Sequence, residues 1–360
     1  MCKLKSAIIL KNRVFISDHD SHSKMLEELG ITDDYINASK VFVRAELSPA
    51  DGDAFSDIDG WEFSVDQDIT PEWFDEKDCA ERMRKAVKEW AKTHIFIGQN
   101  ELKISHGENI FIKDCKNVDI RGNATVKHIC GKATVKYIYD NATVKYIYDN
   151  ATVENIYGNA TVERICDNAT VENIYGNVTV KNICGDATVD YICDNVTVKN
   201  ICGDATVERI YGNATVERIY GKATIENIYG NVTVKDICDN ATVTCIYGNT
   251  TVVNIHDNAM VRYACGNAIV KRICDSAIIN NIYDNASVEN ACGNALVNNI
   301  CNNATVEYIY ENATVISSPC IKWNNSASLV VSDNAIFKDC YAKTIFHAGK
   351  CKFIEVKYEN

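Results

Sequence analysis

The chain has 360 residues, is 46% hydrophobic and carries a formal net charge of −12. There is ample material for a core, and the acidic balance argues against a phosphate-binding surface, which needs clustered Lys and Arg. Near the N-terminus the apolar run is only Ala7–Leu10, too short for a signal-peptide core or a membrane span.

The first predicted elements are irregular. SAIIL and RVFIS flank Lys11-Asn12 and predict a β-hairpin, and SHSKMLEELG predicts a short helix stopped at Gly30. KVFVRAEL and WEFSV predict strands. Thr70-Pro71 reads as a cap followed by proline at the first helical position. The helix it opens runs to about Thr93, with Cys79, Met83, Ala86, Val87 and Trp90 as its apolar stripe. Residues 1–104 are read as a small α+β domain, and 105–121 as an imperfect capping coil.

From Gly122 to Tyr310 the chain consists of 21 nine-residue units without insertion or deletion, with consensus G/D-N-A-T-V-x-x-I-Y/C. Nine residues hold one short strand and one bend, and Val, Ile, Thr and Tyr favour strands. Position 1 is always Gly, Asp or Asn, residues that tolerate positive φ. Pro49, Pro71 and Pro319 all lie outside the units, so every backbone N–H in them can join a ladder. The expected fold is mainly β: a parallel β-solenoid preceded by the small α+β domain.

Position 9 sets the coil size. Taken alternately, one set is mostly Cys (Cys130, Cys166, Cys184, Cys202, Cys238, Cys274, Cys292, against Tyr148, Tyr220, Tyr310 and His256) and the other mostly Tyr. Position 6 alternates between Lys and acid in the same way. A residue matched to its neighbour 18 positions away is stacked on it, so one coil is two units with two unlike faces; three sides of six residues is the alternative. Val at position 5, Ile at position 8 and Ala at position 3 are expected to point inward. Residues 311–360 are read as a degenerate coil and cap, closed by Trp323 and Phe337.

Several stretches invite a chemical reading. Asp18, His19, Asp20 and His22 lie close enough in sequence to hold a metal, but Ser21 or Ser23 capping the next helix accounts for the loop. Asp51–Glu62 places acids at positions 1, 3, 7, 9 and 12 of an EF-hand-like window, with Phe55 and Ser56 where that loop wants a ligand and Gly. From Glu46 to Glu81 there are thirteen acids against Lys77, a run suited to a basic partner. The units lack the Gly-Gly-x-Gly-x-Asp loop of calcium β-rolls, and the position-4 Thr row, which an ice-binding solenoid would also show, is read as an exposed strand position. The position-9 cysteines are read as small buried hydrophobes, since zinc wants converging ligands. No catalytic, cofactor or metal residues are assigned.

An odd count of 17 cysteines and thirteen Asn-x-Ser/Thr triplets within the repeats fit a reducing, cytoplasmic setting. Units such as Gly212-Asn213-Ala214-Thr215-Val216 and Gly230-Asn231-Val232-Thr233-Val234 resemble Asn-Ala-Thr-Val-type β-solenoid arrays of bacterial and phage proteins. The resemblance implies the fold and such an origin and carries no activity. The expected function is a non-catalytic structural or interaction protein with a protein partner, no direct nucleic-acid or membrane binding, and end-to-end or side-by-side self-association as an option. The alternatives are an enzyme or ligand site in residues 1–104 with the rod as spacer, and an acidic nucleic-acid mimic or an ice- or glycan-binding surface.

Overall fold

A computed structural model describes residues 5–317 and, beyond them, 329–332, 334–339, 345–348 and 352–355. The N-terminal head opens with β1 (Lys5–Leu10) and β2 (Arg13–Phe15), the expected hairpin, with Leu10 opposite Arg13. Helix α1 (His22–Glu28) follows, capped by the Ser21 side chain, which accepts from the Lys24 N–H. After the short α2 (Tyr35–Ala38) come β3 (Phe42–Ser48) and β4 (Glu62–Val65), giving an antiparallel sheet in the order β2-β1-β3-β4.

Helix α3 (Glu76–His94) covers that sheet with Cys79, Met83, Val87 and Trp90 buried. It starts later than Thr70-Pro71 implies. Asp75 is the cap, its side chain accepting from the Asp78 N–H, while Pro71–Phe74 forms a separate turn. Trp73 explains the delay: its indole N–H donates to the Lys40 carbonyl, which ties this stretch to the loop before β3 and holds it out of the helix.

The rod begins where α3 ends. Strands β5 (Ile95–Ile97), β6 (Lys103–Ile104), β7 (Ile110–Lys113) and β8 (Val118–Ile120) already belong to its two parallel sheets, so the first coil draws on residues assigned to the head from sequence. Each sheet has fifteen strands, and alternate strands fall in alternate sheets. Pairing steps by 18 residues, as in Thr134↔Thr152 and Val135↔Val153. The coil is therefore two-sided. Ala, Val and Ile at positions 3, 5 and 8 form one continuous buried column along the rod. Trp323 lies outside the described residues; Phe337 lies on the strand Ile336–Asp339, described in its backbone alone.

The corners explain the choice of residue at position 1. Every position-1 residue of the repeat has positive φ, whether Gly, Asp or Asn. Glycine is the residue with no Cβ to suffer there; at Gly185 an added Cβ would stand 2.7 Å from the Asp167 nitrogen. Asp occupies the same corner by a different device. Its carboxylate reaches back one coil and accepts a backbone N–H: Gly122 to Asp140 at 3.1 Å, Gly131 to Asp149 at 2.9 Å, Gly176 to Asp194 at 3.0 Å. The hydrogen bond offsets the strain of the left-handed conformation.

Candidate functional site

The four residues of the Asp18–His22 loop are brought to five different partners rather than to one ion. Asp18 pairs with His94 Nε2 at 3.1 Å, His19 with Glu28 at 2.8 Å, and His22 Nδ1 with Asp66 at 3.1 Å. Asp20 binds two cations, Lys5 at 2.9 Å and Lys127 at 3.2 Å. Lys127 is on the rod, so this loop fastens the head to it. Lys5 is fully buried, over the Trp90 ring, and also donates to the Ser17 carbonyl. Burial lowers its pKa and Asp20 partly restores it.

The EF-hand-like window does not gather its carboxylates either. Asp51, Asp53 and Asp57 each accept a backbone N–H two residues on, from Asp53, Phe55 and Asp59. Those Asx turns shape the loop and aim the oxygens inward at the chain. Glu46 of the acidic run, by contrast, stands with His22 and Asp66, one donor atom of each within 4.8 Å of the others. His22 Nε2 meets the Ala45 carbonyl at 3.1 Å, so the ring bridges β3 and Asp66. The sequence offers no spacing that links these three.

Two concave places flank the head. One has a volume of 470 Å³ and is lined by Asp33, Asp34, Asp66 and Asp68 with Arg44, Gln67 and Tyr35. Arg44 is held by Asp33. Tyr35, which lines it, and the next residue of α2, Ile36, are 71% and 64% exposed.

The second, of 310 Å³, lies between the Asp51–Phe55 loop and the rod, with Lys113, His128, Cys130, Tyr148 and Asp149 on its rod side. Phe111 points out of the rod into the head's core, and its ring begins a stack: His128 at 5.4 Å, then Tyr146 at a further 5.2 Å. His128 Nδ1 is buried without a hydrogen-bond partner. Burial, then Lys127 and Lys145, pull the pKa of this imidazole down to about 4, so it is neutral at pH 7. Burial pushes the Cys130 thiol up to about 11 and raises the Tyr148 hydroxyl as well. A protonated thiol is a poor nucleophile.

Outside the head, the rod's exposed residues form columns. Asn at position 2 hydrogen-bonds to the Asn one coil away along much of the rod, for example Asn177 to Asn159 at 3.4 Å and Asn195 to Asn177 at 3.2 Å. Tyr rings stack at 5.0 Å (Tyr139–Tyr157), 5.1 Å (Tyr211–Tyr229) and 4.8 Å (Tyr229–Tyr247). Of the position-9 cysteines, Cys130, Cys238 and Cys292 are buried and Cys166, Cys184 and Cys202 are half-buried, and all of them are free thiols. Among the described residues, no helix is long and apolar enough to cross a membrane. No protein-family model, curated protein or solved structure matches the chain.

Proposed function

We propose that the protein is a non-catalytic interaction protein, in which the rod is a rigid support and the head is the recognition element. The observation that carries this reading is where asymmetric chemistry lies. Along most of the rod the chemistry is repeated in columns, as in the Asn column whose side chains bond to their own copies one coil away, and so is spread along a line. The head offers an acidic hollow with an exposed Tyr35–Ile36 pair, matched to a partner segment that carries both basic and apolar side chains. Free thiols throughout the described residues support a reducing, cytoplasmic location. The resemblance of the units to bacterial and phage arrays supports such an origin.

The test is affinity capture with three full-length baits: wild type, Tyr35→Ser with Ile36→Ser, and a rod variant with Lys181→Ser and Lys199→Ser. A protein retained by wild type and the rod variant and lost from the head variant supports the reading. A protein lost from the rod variant instead makes the columns the recognition surface. Retention by all three baits contradicts the assignment of recognition to α2.

A further inference from the structure

The repeat has one chemical anomaly at position 9. In that column Tyr and Cys fill every unit except one, where His256 stands. The 18-residue register decides what surrounds it. Ile255 pairs with Ile237, so His256 lies beside Cys238 of the preceding coil, with its backbone N–H donating to the Ile237 carbonyl at 3.0 Å. Asp257 follows at a corner with φ of 57°, which turns its carboxylate back along the same column. The result is a convergence that the other corners among the described residues lack: Cys238 Sγ, a ring nitrogen of His256 and a carboxylate oxygen of Asp257 lie within 4.8 Å of one another. His256 Nδ1 is 3.0 Å from Asp257 Oδ2.

We infer that Cys238, His256 and Asp257 form a binding site for a borderline-soft divalent cation of the zinc class. The donor set is the argument. One thiolate sulfur, one imidazole nitrogen and one carboxylate oxygen is a mixture that zinc accepts and that magnesium or calcium, which take oxygen, do not. A thiolate and a carboxylate together neutralise a doubly charged ion, so the filled site carries no net charge at a partly buried position.

The support for these ligands is already in place. Asp257 Oδ2, the oxygen beside His256, also accepts the Asp239 N–H at 3.2 Å, which fixes the carboxylate in place. Cys238 is 1% exposed, whereas the side chains of His256 and Asp257 are 29% and 46% exposed. The sulfur therefore closes the inner side while the outer side faces water. Three protein ligands with a solvent-facing fourth position is the arrangement of exchangeable or catalytic zinc rather than of a closed structural centre.

The experiment uses the full-length, reduced, chelator-treated protein titrated with Co²⁺ and then Zn²⁺. One equivalent of Co²⁺ should give thiolate-to-cobalt charge-transfer absorption that Zn²⁺ abolishes. His256→Tyr is the informative variant, because Tyr already serves this position in ten units and the rod should keep its fold. It and Cys238→Ser should weaken binding beyond the roughly 10- to 100-fold that loss of an outer-shell partner costs. Asp257→Asn, which retains the corner residue's tolerance of positive φ but removes the ligand's charge, should weaken it beyond that range as well. Cys184→Ser, in the plain cysteine column, should leave the band unchanged. The inference is overturned by an absent band, by one that His256→Tyr leaves intact, or by one that Cys184→Ser removes.

Discussion

The head and the rod are held together by contacts of opposite kinds. In the rod nearly every contact joins residues 18 positions apart, so each coil knows only its neighbours. In the head, the contacts that decide the fold join distant segments: Arg82 donates to the Leu10 and Lys11 carbonyls, and Asp18 meets His94. Asn109 and Lys127 of the rod reach back to Asp18 and Asp20. The rod should therefore fail locally and by degrees, while the head and its seam should fail as a unit.

The largest effect that tests this contrast is a charge placed in the rod's core. Val180 is fully buried in the continuous apolar column. Val180→Asp leaves an unpaired carboxylate there, at a cost of roughly 3–5 kcal/mol or a carboxyl group driven to protonate. Hydrogen exchange should show protection lost in the coils around residue 180, with β1, β3 and α3 still protected. Loss of head protection in the same transition would show that the two regions are not separable in the way their contacts imply.

That contrast also governs what was legible in the sequence. The rod was readable almost to the residue, because a period of nine with Gly, Asp or Asn at every corner can satisfy its backbone in few ways. Even the two-sided coil follows from the Cys/Tyr alternation. The head was readable only where the signal was local, as at the β1–β2 hairpin and the Ser21 cap. The start of α3 was misplaced because the Trp73–Lys40 hydrogen bond spans 33 residues and no local rule anticipates it. The fate of His22 was hidden for the same reason, since Glu46 and Asp66 come from separate strands and loops. His256 is different. It was visible as the odd residue of its column, and its meaning needed the register that places Cys238 beside it.

The seam between the two regions should be sensitive to acid. His128 has its pKa depressed to about 4, by burial first and then by Lys127 and Lys145. In the unfolded chain an imidazole takes a proton near pH 6.5, so below that pH the unfolded state binds the proton first. The contribution of neutral His128 is present above about pH 6.5 and is lost as pH falls toward 4, amounting to as much as roughly 3 kcal/mol. Melting temperatures measured between pH 7.5 and pH 4.5 should fall, and His128→Phe, which keeps the stack between Phe111 and Tyr146, should flatten the drop. An identical acid profile in the variant would place the sensitive group elsewhere.

The smallest effect concerns the rod's surface, and it probes whether a column is passive. Glu154, Glu172, Asp190, Glu208 and Glu226 occupy position 6 on successive strands of one sheet, five like charges in a row. Partial burial, and then Glu208, push the Asp190 carboxyl above its ordinary pKa. Repulsion between like charges directly across neighbouring strands costs on the order of 0.2–1 kcal/mol and is screened by salt. Asp190→Asn should therefore stabilise the rod by a few tenths of a kcal/mol at low ionic strength. The difference between variant and wild type should shrink as salt is added. Destabilisation by more than about 1 kcal/mol would mean the carboxylates are held together by something that needs their charge. In that case the face would be a recognition surface, and the division of labour between a passive rod and an active head would have to be redrawn around it.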